Sequence, residues 1–380
     1  MAQRLRTDWP LFLTVVVLVC LGLVMIYSAS SMVATLKFNR PSHYFLLRQA
    51  GWAVTSFFAL MYFKRKDYRT LKSPVWAFGS LSVVLFMLVV VYFTDTSTHR
   101  WLRLGPLSIQ PSEFAKPALT VFLAWFVSWR LAVINAKNTL MPAALALWVV
   151  AGTVVVADLG TAIVLVATAA TVFFVAGLEM RYFGFAAALC VLLAVGAVLM
   201  KPYRLNRVIA YADPAYKYLS LVDPHGKLKA YAESSLSTRD AGYQARQSKI
   251  AVGSGGVLGL GLMQGKQKLL YLPEAHTDFI YAVIGEELGL WGCSAVLFGF
   301  LVVLWRGYRL FWVAPDDFGR YLALAITTSI VVQALINMSV VLDLGPTKGI
   351  PLPMISHGGS SLLSTLMSLG VLLSVSEHSG

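Results

Sequence analysis

The chain has 380 residues, 58% of them hydrophobic and only 13% charged, with a formal charge of +13 and a mean hydropathy of +0.70. Apolar runs of about 20 residues, the length a helix needs to cross a bilayer, recur along it. A water-soluble globular domain is therefore excluded, and an all-α polytopic membrane protein is expected.

Hydropathy and turn signals divide the chain into about ten spans, near 11–31, 44–63, 74–93, 113–131, 141–157, 160–177, 183–200, 278–305, 320–342 and 359–376. The first run is too long for a secretory signal and lacks a small-residue cleavage site, so it reads as a retained helix. Arg48 and Gln49 lie in the second span near its outer end. Asp158-Leu159-Gly160 separates the fifth from the sixth, although one long kinked helix over 141–177 satisfies the same pattern. Cys20, Cys190 and Cys293 all fall inside apolar runs, where a thiol acts as a small hydrophobe, and show no disulfide or metal-thiolate spacing.

An even count keeps both termini on one side. With the N-terminus inside, the inner segments hold thirteen Lys or Arg, including Arg4, Lys64, Lys66, Arg306 and Arg309. The short outer loops hold five: Lys37, Arg40, Arg100, Arg103 and Lys348. That asymmetry predicts both termini cytoplasmic.

The first outer polar cluster runs from Arg100-Trp101 to Lys116. Pro111 and Ser112 mark a helix start, and Glu113 suits its positive end. Lys116, three residues on, shares a face with Glu113, which leaves two readings: a neutralising pair, or Lys116 as a cation for a ligand. Trp101 by itself fits an interfacial anchor.

Residues 201–277 form the large loop between spans 7 and 8, expected outside, with eleven Lys or Arg against five Asp or Glu. The loop is either a solvated basic surface or an electropositive platform for a pyrophosphate or another anionic lipid headgroup. Within it, Ala241 to Val252 suits a helix lying in the interface. The glycines from Gly253 to Gly261 suit a close-approach turn or a re-entrant segment.

The most informative stretch follows, Tyr271 to Gly289. Glu274, His276 and Asp278 stand at the mouth of a span, with Glu286 and Glu287 further in, and each unpaired charge there is costly to desolvate. Intramembrane ionisable groups predict a site for a polar or charged substrate. The Glu274-x-His276-x-Asp278 spacing does not put three ligands on one helix face, which argues against a transition-metal site. Near the C-terminus, the prolines and glycines of Leu344 to Pro353 cannot continue a helix. They predict an irregular loop buried in protein or beside a water-filled cavity, ahead of Ser356, His357 and Ser360.

Three segments, RWLRLGPLSIQPSEFAK, GSGGVLGLGLMQGKQKLLYLPEAHTDFIYAVIGEELG and LGPTKGIPLPMISHGGSS, occur in that order on these spans. With them the chain resembles the SEDS family (RodA, FtsW and SpoVE) over nearly its whole length, with wording nearer the FtsW branch. His357 and Met354 depart from the Tyr and Phe usual there, and Gly345 separates Leu344 from Pro346-Thr347.

The resemblance implies one SEDS transmembrane domain over 1–380. It implies a peptidoglycan glycosyltransferase that polymerises lipid II at the outer face of the bacterial cytoplasmic membrane, beside a class B penicillin-binding protein transpeptidase. Membrane lipids are expected as neighbours, and neither nucleic acid nor an organic cofactor is expected. Asp278 falls on the family's essential Asp, Lys116 on its important Lys and Trp101 on its functional Trp. Arg48, Glu113, Gln264, Glu274, His276, Lys348, Ser356 and Ser360 complete the expected substrate-binding set. A divalent cation, Mg2+ or Mn2+, bridging the substrate pyrophosphate and Asp278 is an alternative role for that carboxylate. A lipid II flippase or a scaffold for cell-wall synthesis would draw on the same features.

Overall fold

The computed structural model describes residues 7–379 apart from 97, 106, 214–222, 224–225, 234–240, 270 and 347–348. Lys348 therefore lies outside the described residues.

A helix stands at each expected span: α1 (Trp9–Leu36), α2 (Tyr44–Arg65), α3 (Pro74–Thr94), α4 (Pro111–Arg130), α5 (Lys137–Ala157), α6 (Leu159–Val175) and α7 (Met180–Leu199). After three helices among the described residues of the long loop, α8 (Pro202–Ala212), α9 (Lys227–Glu233) and α10 (Ala241–Gly255), come α11 (Ile280–Val313), α12 (Asp317–Val341) and α13 (Gly359–Glu377). By length and composition, seven helices among the described residues are apolar enough to cross a membrane. α2, with Arg48 and Gln49, is not one of them, and the apolar stretches of α5 and α6 are shorter.

Local chemistry sets the boundaries. Asp8 caps α1 by accepting from the Leu11 amide at 3.1 Å, with Pro10 in the first turn. Asp158 resolves the 141–177 ambiguity in favour of two helices: its backbone is extended, and its Oδ1 accepts from the Gly160 and Thr161 amides at 2.9 and 3.3 Å to cap α6. α11 begins at Ile280, so Asp278 precedes the span that sequence alone starts at 278.

The core is built around α12 and α13. α12 packs against α4, α6, α11 and α13, and α13 lies along α2 and α4. No described residue of α7 is buried, so its apolar surface is left for lipid or another protein. At one end of the bundle Arg306 grips Asp8 through two nitrogens, Nε at 2.8 Å and Nη2 at 2.7 Å. At the same end Lys64 pairs with Glu377 at 2.8 Å, and the Thr7 hydroxyl donates to Glu377 at 2.7 Å. Thr7, Asp8 and Glu377 thus share one end of the bundle with Lys64 and Arg306, two of the basic residues expected beside the termini.

Two segments differ from expectation. The Arg-Trp cluster contains a small antiparallel hairpin, β1 (Leu102–Leu104) with β2 (Leu107–Ile109), pairing Leu102 with Ile109. Its signal was present: apolar residues alternate on both sides of Gly105-Pro106. α10 does not lie free in an interface. Ser248 and Ala251 are fully buried against the bundle, where the Ser248 hydroxyl donates to the Val341 carbonyl at 2.7 Å.

Candidate functional site

The glycine run after α10 forms the close-approach turn. α11 is broken at Gly289 (φ 64°, ψ −158°), and the turn fills the break: the Leu260 and Gly261 amides donate to the Glu286 and Glu287 carbonyls, both at 3.0 Å. A Cβ on Gly259 would lie 2.2 Å from the Glu287 carbonyl oxygen, so no larger side chain fits. The two glutamates hold the chain beyond it. Glu286 accepts from the Lys266 and Gln267 amides at 2.7 and 3.1 Å, while Glu287 accepts from Lys268 Nζ at 2.5 Å and the Ser28 hydroxyl at 2.7 Å. Both carboxylates are fully buried and fully engaged. The expectation that they belong to a substrate-facing polar site is corrected: they anchor the 259–268 segment to α1 and α11.

That anchoring leaves residues 271–279 to carry Asp278 to the start of α11. Glu274, with a positive φ of 54°, turns the chain, and its carbonyl accepts from the Thr277 and Phe279 amides. The Asp278 carbonyl is held by Asn337 Nδ2 at 2.8 Å. Its side chain is half-buried, and no hydrogen bond reaches the carboxylate among the described residues. Gly349 passes directly over it, where a Cβ would stand 2.6 Å from Oδ2. Burial pushes the Asp278 carboxyl up to about 7, the charges of Glu274 and Asp158 add to the rise, and Arg100 and Arg207 oppose it.

Asp158 links the hairpin to this centre. Arg100 Nη2 donates to its Oδ2 at 3.0 Å and Gln110 Nε2 to the same oxygen at 3.2 Å. The Gln110 amide donates to the Ser360 hydroxyl at 3.3 Å, fixing the start of α13. The Arg100 and Trp101 amides both bind Asp95 Oδ2, at 3.1 and 3.2 Å. Trp101 is half-buried on this hairpin root.

Lys116 lies inside the bundle. Its ammonium binds Glu113 at 2.7 Å and Gln333 Oε1 at 2.5 Å, and both charged side chains are buried. The cavity beside it, lined by Thr120, Ser329, Ser364, Thr365 and Ser368 among others, has a volume of about 10 Å³, enough for about one water. The alternative of a neutralising Glu113–Lys116 pair thus describes the observed contact. Gln333 continues the line, donating from Nε2 to the Pro351 carbonyl at 2.8 Å.

The last loop closes over these groups. Ser356 Oγ donates to the Thr277 carbonyl at 2.5 Å and accepts from the Leu352 amide at 2.8 Å. The His357 amide donates to the His276 carbonyl at 3.0 Å, and Gln49 bridges the Ser356 carbonyl and the Gly358 amide. His276 and His357 pack with Phe45, ring centroids 4.8 and 5.4 Å from it. Burial holds both imidazoles below their usual range, His357 at about 3, so both are neutral at pH 7. Neither supplies the positive charge a pyrophosphate needs. Arg48 is exposed, 5.7 Å from the Tyr44 ring, and Gln264 is exposed at the end of the glycine turn.

The structure therefore gathers Asp278, Glu274, His276 and Ser356, and ties Lys116, Glu113 and Ser360 to them through one or two intermediaries. Sequence reasoning did not single out Asp158, which it read only as a helix break, or Gln333 and Asn337. The latter signal was available, since two amide side chains four residues apart on an apolar helix share a face.

A helical membrane protein with a carboxylate centre at the mouth of its bundle is the class that this geometry defines. Residues 8–380 match the family of FtsW, RodA and SpoVE, described as cell cycle protein. A Geobacter sulfurreducens protein named probable peptidoglycan glycosyltransferase FtsW is 39% identical, covering 98% of this chain and 96% of its own. Stage V sporulation protein E of Bacillus subtilis is 38% identical, with 99% of each chain covered. Among solved structures, a chain of a peptidoglycan synthase complex that coordinates polymerization and crosslinking superposes with a TM-score of 0.76 at 26% identity, over 99% of both chains. Thermus thermophilus rod shape determining protein RodA gives 0.67 at 25%, over 99% of this chain and 98% of its own. The chain belongs to the FtsW/RodA/SpoVE family.

Proposed function

We propose that this protein is a peptidoglycan glycosyltransferase that polymerises lipid II, with Asp278 as the general base. The observation that carries this reading is a carboxylate without a hydrogen-bond donor among the described residues, poised near neutrality beside the Arg100–Asp158 pair. The names of the FtsW relatives support it.

In the reaction a sugar 4-hydroxyl attacks the anomeric carbon of the lipid-linked donor. The new C–O bond forms as the bond to the undecaprenyl pyrophosphate oxygen breaks. The hydroxyl proton passes to Asp278, and the pyrophosphate leaves with the bonding electrons. Arg100 and Arg207, both close enough to act on Asp278 electrostatically, offset negative charge on the leaving group. The neutral His276–His357–Phe45 packing and Ser356 shape the loop beside the carboxylate rather than supply charge.

Among the described residues no group of three His, Cys, Asp or Glu could hold a metal ion. In the alternative role for this carboxylate, Asp278 would hold a divalent cation together with the substrate pyrophosphate, since Mg2+ is commonly held by one or two carboxylates plus phosphates. Such an ion would neutralise leaving-group charge.

The test is polymerisation of lipid II by the purified protein with a class B penicillin-binding protein transpeptidase, the partner class that the complex-forming relative supports. Glycan chains should form, with a rate that rises with pH through a midpoint near 7 as Asp278 loses its proton. Glu274→Gln removes a negative charge that raises Asp278, so it should move that midpoint down. Lipid translocation by this preparation without any glycan product would favour a flippase instead.

For localisation, the shared end of Thr7 and Glu377 supports both termini on one face, read as cytoplasmic, with the Asp278 centre outside. In a cysteine-free background, Gln264→Cys and His43→Cys should react in intact cells with an impermeant thiol reagent, while Thr70→Cys and Arg309→Cys should not. All four positions are exposed, so burial does not mask the answer. Labelling of Thr70→Cys from outside would reverse the topology.

A further inference from the structure

The catalytic reading leaves unexplained what holds a carboxylate that receives no hydrogen bond among the described residues. Asp278 sits on a turn and Gly349 on an irregular loop rich in proline and glycine, neither of which is rigid by itself. Both are joined to one helix. Asn337 Nδ2 donates to the Asp278 carbonyl at 2.8 Å and to the Ile350 carbonyl at 2.7 Å. Both acceptors are carbonyls, so the nitrogen must be the atom facing them. The Asn337 side chain is buried, and its own Oδ1 has no partner among the described residues, an arrangement kept at a desolvation cost. One turn earlier on the same face, Gln333 donates to the Pro351 carbonyl at 2.8 Å while accepting from Lys116.

The three bonds hold residues 350–351 and the Asp278 main chain against α12, and so set the clearance between Gly349 and Asp278 Oδ2. We propose that Asn337, supported by Gln333 on the next turn, is a positioning residue that fixes the Asp278 carboxylate beneath Gly349. This inference rests on the reading of Asp278 as the base.

Three variants test it: Asn337→Leu, which removes both donors at similar volume; Asn337→Gln, which keeps them on a longer arm; and Gly349→Ala. Gly349→Ala leaves the Asn337 bonds in place and adds only a methyl group that must displace the carboxylate. Asn337→Leu and Gly349→Ala should each lower kcat for glycan polymerisation about 100-fold with KM for lipid II unchanged, the scale expected when a reacting group moves by about 1 Å. Asn337→Gln should recover part of the loss.

A second readout needs no turnover. Carbodiimide modification of Asp278, followed by mass spectrometry in the presence of a chelator, should speed up about tenfold in Asn337→Leu as the loop opens locally. The fully buried Glu287 should stay unmodified and so report an intact fold. Wild-type kcat in a folded Asn337→Leu protein would overturn the inference whatever Gly349→Ala does, as would Asp278 labelling that rises only together with Glu287. If Asn337→Leu fails to fold, Asn337→Gln decides by the same two readouts: an intermediate kcat with faster Asp278 labelling supports the inference, and wild-type values of both overturn it. A wild-type protein that makes no glycan would overturn the catalytic reading, whereas the labelling rates would still decide whether Asn337 fixes Asp278.

Discussion

Asp278→Asn should lower glycan polymerisation by about 1,000-fold, within the range that a positioned general base supplies, while leaving the fold and the association with a partner transpeptidase intact. Asn has nearly the same shape as Asp but neither takes the proton nor carries the charge. Because no hydrogen bond reaches the carboxylate among the described residues, the substitution breaks none; the bonds at this position run through the backbone, to Asn337. The stability consequence has a definite sign. A carboxyl raised in the folded state to about 7 binds its proton more tightly there than in the unfolded chain, so stability declines as pH rises from the usual carboxylate range toward 7. Asn removes that decline. Thermal unfolding should therefore show the variant at least as stable as wild type at pH 8, with no such advantage at pH 4. A folded Asp278→Asn protein that still makes glycan near the wild-type rate would remove Asp278 from the chemistry.

Much of the architecture was legible because a bilayer imposes a simple rule on sequence: apolar runs of helical length, interrupted by charge and by Pro or Gly. Each expected span coincides with a helix, and the Asp158 break proves to be a cap rather than a kink. Legibility fails where a residue's meaning depends on a partner far away in the chain. Glu286 and Glu287 read in sequence as ionisable groups of a polar substrate site inside the span, yet their carboxylates are spent on Lys268, Ser28 and backbone amides brought in by the glycine turn. Gln333 and Asn337 are quiet in sequence, and their roles appear only when residues 349–358 fold back onto α12. The hairpin at Leu102–Ile109 was missed for another reason: strands of three residues next to Arg100 and Trp101 carry a weak pattern.

Lys116 separates two accounts that sequence left open, and its variants should behave unequally. Lys116→Met leaves Glu113, only 1% exposed, without its cation, and stranding a buried charge in this way destabilises by about 3–5 kcal/mol. Little folded protein is expected, and polymerisation should fall with it. Glu113→Gln/Lys116→Met removes both charges and should recover most of the stability, because replacing a buried pair with neutral groups is often close to neutral. What remains missing is the bond from Lys116 to Gln333, and through it part of the hold on Pro351. Activity of the double variant should therefore return to within about tenfold of wild type, a loss no larger than the removal of one charge-assisted hydrogen bond would give. Thermal unfolding and lipid II polymerisation, measured on the same preparations, distinguish the two accounts. A double variant that is fully folded yet inactive would mean that the Lys116 ammonium reaches the substrate in a conformation different from the buried one, in which Glu113 and Gln333 hold it.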